Sequence, residues 1–171
     1  APVGTPFGPD VFVMDENFRN PRTMSASLAY EKQLDHGLSA MVTYNWSKTD
    51  FLTRFVNRND AAFGSPWSTG LAGGNGIGTL TTVEASAKSQ FSGVTIGLAK
   101  LTGERLTFDA NYTLAFDKSD DDNERDPFTF TYAKADRLDR EWGYSNRDQR
   151  HRFNLSALTK GPMGTLVNGR F

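Results

Sequence analysis

A period of two dominates this sequence, because apolar and polar residues alternate over many consecutive positions in several separate segments. In residues 22–34, for example, Met24, Leu28 and Tyr30 alternate with serine, threonine and alanine. Successive side chains of a β-strand point to opposite faces, so alternation of this kind indicates strands with one apolar face. The period of an α-helix is hard to find. The pattern therefore predicts an all-β chain.

The alternating segments predict about six strands, whose connections are alternately very short and very long. The predicted strands are residues 22–34, 38–47, 79–101, 106–116, 150–158 and 165–171. Tight turns are predicted at 35–37, 102–104 and 160–164, and long loops at about 51–78 and 117–148. Phe91 is out of phase with Val94, so either its side chain points to the opposite face or a bulge intervenes.

The lengths of the connections and the residue types on the two strand faces indicate a membrane protein. Short turns alternating with long loops are typical of outer-membrane barrels, whereas soluble β-sandwiches show turn signals about every 8–12 residues. The apolar faces carry no charge at their centres, and a Lys or Arg at the bilayer midplane would cost about 2–4 kcal/mol. The opposite faces are mostly Ser, Thr, Asn and Gly, with Asp109 mid-strand, and suit a wet interior. We predict an antiparallel transmembrane β-barrel segment with long strands, short periplasmic turns and long extracellular loops.

The apolar faces supply the candidate lipid-facing residues. These are Leu28, Tyr30, Val42, Tyr44, Trp46, Ile96, Leu98, Phe108, Tyr112, Leu114, Phe116, Phe153 and Leu155. Among the aromatic ones, Tyr30 and Phe108 lie near short turns, and Tyr44, Trp46 and Phe116 lie near long loops. They are expected to form two girdles at the level of the lipid headgroups. The alternative is a soluble β-sandwich in which the same aromatic residues fill the core.

Composition excludes several classes of function. The 171 residues have a net charge of −1 and a pI near 6.2, which excludes a nucleic-acid binder that relies on bulk positive charge. The chain contains no cysteine, which excludes disulfides, thiolate zinc sites and cysteine nucleophiles. Its two histidines leave little for a histidine-rich metal site. No stretch approaches the roughly 18 consecutive apolar residues of a membrane helix.

Three segments carry residues of chemical interest, and each has a simpler explanation. The acidic run 117–126 offers oxygen ligands for Ca²⁺, but the EF-hand order and central glycine are missing, so a solvated external loop is favoured. Gly73–Gly78 lacks the lysine and the strand-to-helix context of a P-loop and is expected to be a flexible loop. His151 has Asp148 nearby but no nucleophile motif, so a structural role at the membrane edge is favoured. His36 falls in a tight turn.

A mixed cluster of charged and aromatic residues follows in the second long loop. It consists of Arg137, Asp139, Arg140, Glu141, Trp142 and Tyr144. Arginine and aromatic side chains dominate many interfaces, so the cluster suits contact with a ligand or partner. It equally suits salt bridges between loops that cap a barrel. The sequence leaves both alternatives open.

Several segments of the chain resemble the barrel of TonB-dependent outer-membrane receptors. The resemblance is to the large Oar-like type with a carboxypeptidase-regulatory-like N-terminal domain. The segments that carry it are Asn20-Pro21-Arg22-Thr23, Ser89-Gln90-Phe91-Ser92-Gly93-Val94-Thr95, Ala110-Asn111-Tyr112-Thr113-Leu114 and Asp148-Gln149-Arg150-His151-Arg152-Phe153-Asn154-Leu155. Their order and spacing match the late part of such a barrel. Taken singly the motifs are degenerate, but their succession over residues 20–171 is fairly specific.

The chain also departs from that family. About six strands cannot close the smallest usual membrane barrel, which has about eight, and an open edge in lipid is not viable. The plug domain, the TonB box and the N-terminal extension have no counterpart here. Residues 1–171 are therefore expected to be a partial outer-membrane β-barrel domain without the plug domain. Phe171 resembles the terminal aromatic residue of outer-membrane proteins, but residues 167–171 fit a strand cut short better.

The resemblance implies a role in ligand uptake across the bacterial outer membrane. The expected partners are outer-membrane lipid, the rest of the barrel with its plug domain, TonB through a segment not present here, and possible surface proteins. No nucleic acid, cofactor, metal or catalytic residue is expected, and the chain is not expected to be an enzyme. A barrel that serves as a structural scaffold or adhesin for partner proteins is the alternative, followed by a soluble β-sandwich binding module.

Overall fold

The chain forms an antiparallel β-sheet of long strands in a computed structural model that describes residues 10–58, 79–103, 105–122, 132, 134–160 and 166–170. The strands are β1 Val11–Met14, β2 Arg22–Gln33, β3 Leu38–Asn57, β4 Leu80–Lys100, β5 Leu106–Ser119, β6 Gly143–Tyr144, β7 His151–Lys160 and β8 Leu166–Arg170. Short 3-10 helices lie at Asp35–Gly37 and Leu138–Glu141. The all-β prediction is confirmed.

Six of the strands form one path with the order β2-β3-β4-β5-β7-β8. Each neighbour in this path is also the next long strand in the chain, as in a meander of hairpins. Two short strands lie off the path: β1 pairs in parallel with β4, and β6 pairs with β5. The six strands on the path correspond to the six predicted from alternation.

Two long strands extend further than the sequence indicated. Strand β3 continues to Asn57, so the predicted start of the first long loop at Phe51 needs a correction. Strand β5 continues to Ser119, beyond the predicted end at Phe116. In both extensions polar and charged residues interrupt the alternation, which is why the pattern failed there. The predicted glycine-rich loop 73–78, the turn 161–164 and Phe171 lie outside the described residues.

The chain divides into two compact units. The first unit comprises residues 1–23, 49–89 and 118–146, and the second comprises 24–48, 90–117 and 147–171. In the first unit the buried residues include Arg54, Val56, Glu84, Ala87 and Asp120. In the second unit Thr113 and Ala115 are buried, whereas most of the long apolar side chains are exposed. The second unit therefore consists mainly of sheet whose apolar face is not covered by the described residues.

Two short turns of the second unit pack against each other. His36 and Gly37 both have positive φ, 62° and 72°, a conformation that costs glycine nothing and other residues more. A Cβ atom on Gly37 would lie only 2.7 Å from the Thr102 Oγ1 atom of the β4–β5 turn. The positive φ of Gly37 and the close approach of the Thr102 side chain therefore both favour glycine at this position.

Strand β1 extends the first unit along β4. Its residues pair with Leu80 to Val83, and Val11 N donates to Thr79 O at 2.8 Å. Before the strand, Asp10 Oδ1 accepts hydrogen bonds from Thr79 N and Thr79 Oγ1 at 2.8 and 2.5 Å. These two bonds lower the pKa of Asp10, because they favour the charged carboxylate. The sequence pattern did not predict β1, since its four residues are all apolar.

Candidate functional site

The register between β5 and β7 places predicted lipid-facing residues on one side of the sheet. Tyr112 pairs with Phe153, and Ala110 pairs with Leu155. Directly opposed residues of an antiparallel pair point to the same face. Because Phe108, Leu114 and Phe116 alternate in phase with Tyr112, they share that side of β5.

Hydrogen bonds set an equivalent register between β2 and β3. Ser27 Oγ donates to Asn45 Oδ1 at 2.9 Å, and Leu34 N donates to Leu38 O at 2.7 Å. Both bonds fit one unbroken antiparallel register, which sets Leu28 opposite Tyr44 and Tyr30 opposite Val42. The predicted apolar faces of the two strands therefore lie on the same side of their hairpin.

The apolar faces of β4 and β5 likewise lie on the same side of the sheet. Phe91 is an apolar residue of β4 that does not share this face. Thr95 Oγ1 and Thr113 Oγ1 are 2.9 Å apart, so Ile96 lies opposite Tyr112. A Cβ atom on Gly93 would lie 3.1 Å from Phe91 Cζ and 3.3 Å from Ala115 Cβ. The Phe91 ring thus lies on the face of Gly93, opposite to Val94. Of the two alternatives for Phe91, the opposite-facing one is correct.

The predicted lipid-facing residues are accessible in this structure. Leu28 is 74% exposed, Tyr30 67%, Phe153 59% and Ile96 55%. The remaining exposed members of the set are Val42, Tyr44, Leu98 and Tyr112, and the partly exposed members are Trp46, Phe108, Leu114, Phe116 and Leu155. A continuous apolar surface of this kind is rare on soluble monomers and marks contact with a membrane or a protein. Lipid contact of the individual residues stays a prediction.

The opposite face is held together by polar cross-strand pairs. In addition to the Ser27–Asn45 and Thr95–Thr113 contacts, Asn154 Nδ2 donates to Asn111 Oδ1 at 3.0 Å. Hydroxyl and amide groups can exchange such bonds with water at little net cost, so this face is suited to an aqueous or polar environment.

His151 lies on the apolar face, opposite Leu114 in the register of β5 and β7. Its Nδ1 atom is 2.7 Å from the Tyr112 hydroxyl oxygen, and the two rings are stacked with centroids 6.1 Å apart. The nearby acid, Asp148, accepts its hydrogen bonds from Asp117 N and Arg150 Nη2. His151 and Asp148 thus have different partners, and the structural role favoured for His151 stays a prediction.

A buried charge cluster holds the long connection after β5 in the first unit. Arg54 is 2% exposed, and its Nη2 atom lies 2.7 Å from Asp120 Oδ1 and 3.1 Å from Asp120 O. Asp120 Oδ1 also accepts a hydrogen bond from Lys88 N at 2.8 Å. Buried charges are retained in proteins when they are paired and hydrogen-bonded, as here. The cluster joins β3, β4 and the residue that follows β5.

Tyr132 closes the same cluster from further along the connection. Its hydroxyl donates to Asp121 Oδ2 at 2.8 Å, and the Arg54 guanidinium carbon lies 5.3 Å from its ring centroid. Burial and the neighbouring Asp121 carboxylate raise the pKa of Tyr132, because both oppose formation of the phenolate. Tyr132 therefore stays a hydrogen-bond donor over the whole physiological range.

A second ion pair in the first unit joins Arg58, the residue that follows β3, to β4. Arg58 Nε donates to Glu84 Oε1 at 2.8 Å, and Arg58 Nη2 contacts the same oxygen. Arg58 Nη1 donates to Ala135 O at 3.1 Å. Glu84 is 6% exposed. One arginine thus connects two strands to a residue of the long connection.

The mixed cluster in the second long loop contacts lysines of the strands. Lys88 Nζ lies 5.1 Å from the Trp142 ring centroid, and Lys118 Nζ lies 5.1 Å from that of Tyr144. Lys118 is also the register partner of Tyr144 in β6. Cation–π contacts at exposed sites are worth about 0.5–1 kcal/mol each. These aromatic residues therefore contribute to holding the connection against β4 and β5.

The acidic run is not the solvated loop that the sequence favoured, at least at its start. Asp120 and Asp121 are each 6% exposed and contact Arg54, and Asp122 Oδ2 accepts a hydrogen bond from Asn146 N at 2.7 Å. Within the part of the chain that the structure describes, no group of three or more His, Cys, Asp or Glu residues could hold a metal ion. Residues 123–126 lie outside the described residues.

Sequence reasoning missed the anchoring roles of Arg54, Glu84 and Tyr132. Arg54 and Tyr132 fell in predicted long loops, and Glu84 lies in the predicted strand 79–101, where nothing marked an acidic residue for burial. Their burial depends on contacts between positions distant in sequence, such as Arg54 and Asp120. No local pattern signals such contacts.

The comparisons with known proteins agree with the two-faced sheet. A family model described as an outer membrane beta barrel domain matches residues 1–169. The chain therefore belongs to the outer membrane beta barrel domain family, and its location is the bacterial outer membrane. Comparison with curated proteins and with solved structures found no match.

None of the helices in the described part of the chain has the length and apolar character needed to cross a membrane.

Proposed function

We propose that this chain forms part of the wall and the external loops of a TonB-dependent receptor barrel that takes up a ligand across the outer membrane. The support is the succession of receptor-like segments in the sequence together with membership of the barrel family. In this proposal the long connections face the outside of the cell and the short turns face the periplasm. TonB and the plug domain act through segments outside this chain.

The structural observation that supports a receptor is the anchoring of the long connections. Arg54 binds Asp120, and Arg58 binds both Glu84 and the Ala135 carbonyl. A receptor must present its loops in a defined conformation, because disordered loops lose binding free energy when they become ordered. These ion pairs supply that order, and we propose no enzymatic activity for the chain.

The test is energy-dependent uptake by living cells. Cells with the gene, without it and with it restored would be grown in a defined mixture of peptides, saccharides and chelated iron. Solutes remaining in the medium would be measured by mass spectrometry, with and without a protonophore. We expect at least one solute to be depleted only when the gene is present and the membrane is energised. Depletion that is identical in all strains would contradict uptake by this protein.

A scaffold or adhesin is the second candidate, and strand β1 is the observation that favours it. Phe12, Val13 and Met14 are 50%, 45% and 64% exposed in the first unit. Exposed apolar side chains on a short strand suit contact with a partner protein. Substituting Val13 and Met14 with serine should then reduce capture of a surface protein by whole cells while solute uptake is unchanged. The reverse pattern would favour the receptor.

A further inference from the structure

Two arginines of the first unit converge on a single phenylalanine ring. The guanidinium carbons of Arg19 and Arg22 lie 5.2 and 5.7 Å from the ring centroid of Phe51. Both arginine side chains are exposed. An aromatic face attracts a guanidinium and restrains its position, so the Phe51 ring restrains both positive charges within 5.7 Å of its centroid. Two like charges brought together in this way favour an anion between or beside them.

Neither of these guanidinium groups has an acidic partner among the described residues. In contrast, Arg54, Arg58 and Arg150 each pair with a carboxylate at hydrogen-bond distance. A planar guanidinium presents five N–H donors that match the oxygens of phosphate and carboxylate groups. Arg19 and Arg22 therefore keep this donor capacity available to a ligand.

The ring that carries the two arginines sits on an unusual backbone. Phe51 has a φ of 66°, in the left-handed region that a bulky residue other than glycine rarely adopts. The neighbouring pairing is kept by the contact between Thr23 Oγ1 and Thr49 Oγ1 at 2.9 Å. Backbone outliers of this kind persist where the surroundings impose them, and they concentrate at binding sites. The strained residue is the one that positions both cations.

The position of Arg22 along its strand indicates which anion this site meets. Arg22 opens β2 at the end away from the short turn at Asp35–Gly37. By strand alternation it shares a face with Met24 and Leu28, which are 47% and 74% exposed. An arginine at the end of an apolar strand face extends to the level of the lipid headgroups. Headgroups at that level carry phosphate in an anionic leaflet.

We propose that Arg19, Arg22 and Phe51 form a clamp for the phosphate group of a lipid in the outer leaflet. The clamp rests on the outer-membrane location and on the proposed external position of the long loops, and it does not depend on TonB coupling. It gives the chain a specific lipid contact in addition to its apolar surface.

The experiment measures lipid binding by the full-length protein purified from outer membranes and exchanged into a nonionic detergent. The probes are diphosphoryl lipid A, the same lipid A with its phosphates removed, and inorganic phosphate. One basic residue near an anionic surface contributes about fivefold to affinity, so Arg19→Gln with Arg22→Gln should weaken binding of diphosphoryl lipid A between about fivefold and about thirtyfold. Dephosphorylated lipid A should bind weakly to both proteins.

Three controls make the result decisive. Arg140→Gln, an exposed arginine on the 3-10 helix Leu138–Glu141, should leave binding unchanged. Arg19→Lys with Arg22→Lys keeps the charge and should retain part of the affinity, which separates lost charge from lost folding. Unchanged heat-dependent gel mobility verifies that each variant is folded. Equal binding by the folded glutamine variant and the parent protein would overturn the clamp. Inorganic phosphate that binds as tightly as diphosphoryl lipid A would overturn the lipid as its ligand.

Discussion

Arg54 Nη2 lies 2.7 Å from Asp120 Oδ1, and the two residues are only 2% and 6% exposed. The pair joins the extension of β3 to the residue that follows β5, so it closes a contact between positions 66 residues apart in sequence. Taking two charges out of water is costly. Two further hydrogen bonds offset this cost: Lys88 N donates to Asp120 Oδ1, and Arg54 Nη2 donates to Asp120 O. This charge pair therefore anchors the start of the long connection after β5.

Removing one member of this pair should be strongly destabilising. Arg54→Met keeps much of the side-chain volume but leaves the Asp120 carboxylate buried without its partner, at a cost of about 3–5 kcal/mol. Guanidinium unfolding of the detergent-solubilised protein would measure the loss. Arg140→Met, in which an exposed arginine is replaced, should change stability by no more than about 0.5 kcal/mol. If the two variants unfold at the same denaturant concentration, the pair contributes no stability.

The contrast between β5 and the Arg54 cluster shows how far sequence reasoning extends. The alternation from Leu106 to Phe116 is set by one apolar and one polar environment, so a local pattern was sufficient to predict the strand and its faces. Burial of Arg54 depends on Asp120, which is brought to it only by the pairing of three strands. A four-residue strand such as β1, in parallel pairing with β4, likewise has no local signal. Interactions between distant residues therefore had to come from the structure.

The apolar face can be tested with charges placed on either side of one strand. Leu28→Lys puts an ammonium group on the apolar face of β2, where a charge near the bilayer midplane costs about 2–4 kcal/mol. Ser25→Lys puts the same group on the opposite face, where water or polar groups can solvate it. Folding into lipid vesicles, followed by heat-dependent gel mobility, should fail or weaken for Leu28→Lys and proceed for Ser25→Lys. The opposite order would show that the two faces have been assigned the wrong way round.

Gly93 should resist substitution because the ring of Phe91 occupies the space of a side chain there. A Cβ atom at position 93 would lie 3.1 Å from Phe91 Cζ and 3.3 Å from Ala115 Cβ, so Gly93→Val should cost about 1–3 kcal/mol by overpacking. Unfolding of the two single variants and the double variant in denaturant would give the coupling free energy between positions 91 and 93. Adding Phe91→Ala should recover part of the loss caused by Gly93→Val, since it removes the nearest atoms. Losses that simply add would place the Phe91 ring elsewhere.

Asp148 should make stability depend on pH in the acid range. Its Oδ1 accepts a hydrogen bond from Asp117 N at 2.8 Å, and its Oδ2 accepts one from Arg150 Nη2 at 2.9 Å. These contacts, the backbone bond foremost, lower the pKa of Asp148 below its usual value. A lowered pKa means that the folded state favours the carboxylate. Its contribution is therefore complete above the unfolded pKa of about 4 and is lost as the pH falls through the lower folded value.

Unfolding midpoints measured from pH 7 down to acid would show this contribution directly. We expect Asp148→Asn to be less stable than the parent protein at pH 7, and the difference to shrink as the pH falls below about 4. Asp139→Asn is the matched control, because the Asp139 side chain is 71% exposed and its ion pair with the exposed Arg137 is long, at 3.4 Å. A stability difference for Asp148→Asn that stays constant at every pH would rule out the carboxylate charge as its source and leave packing as the cause.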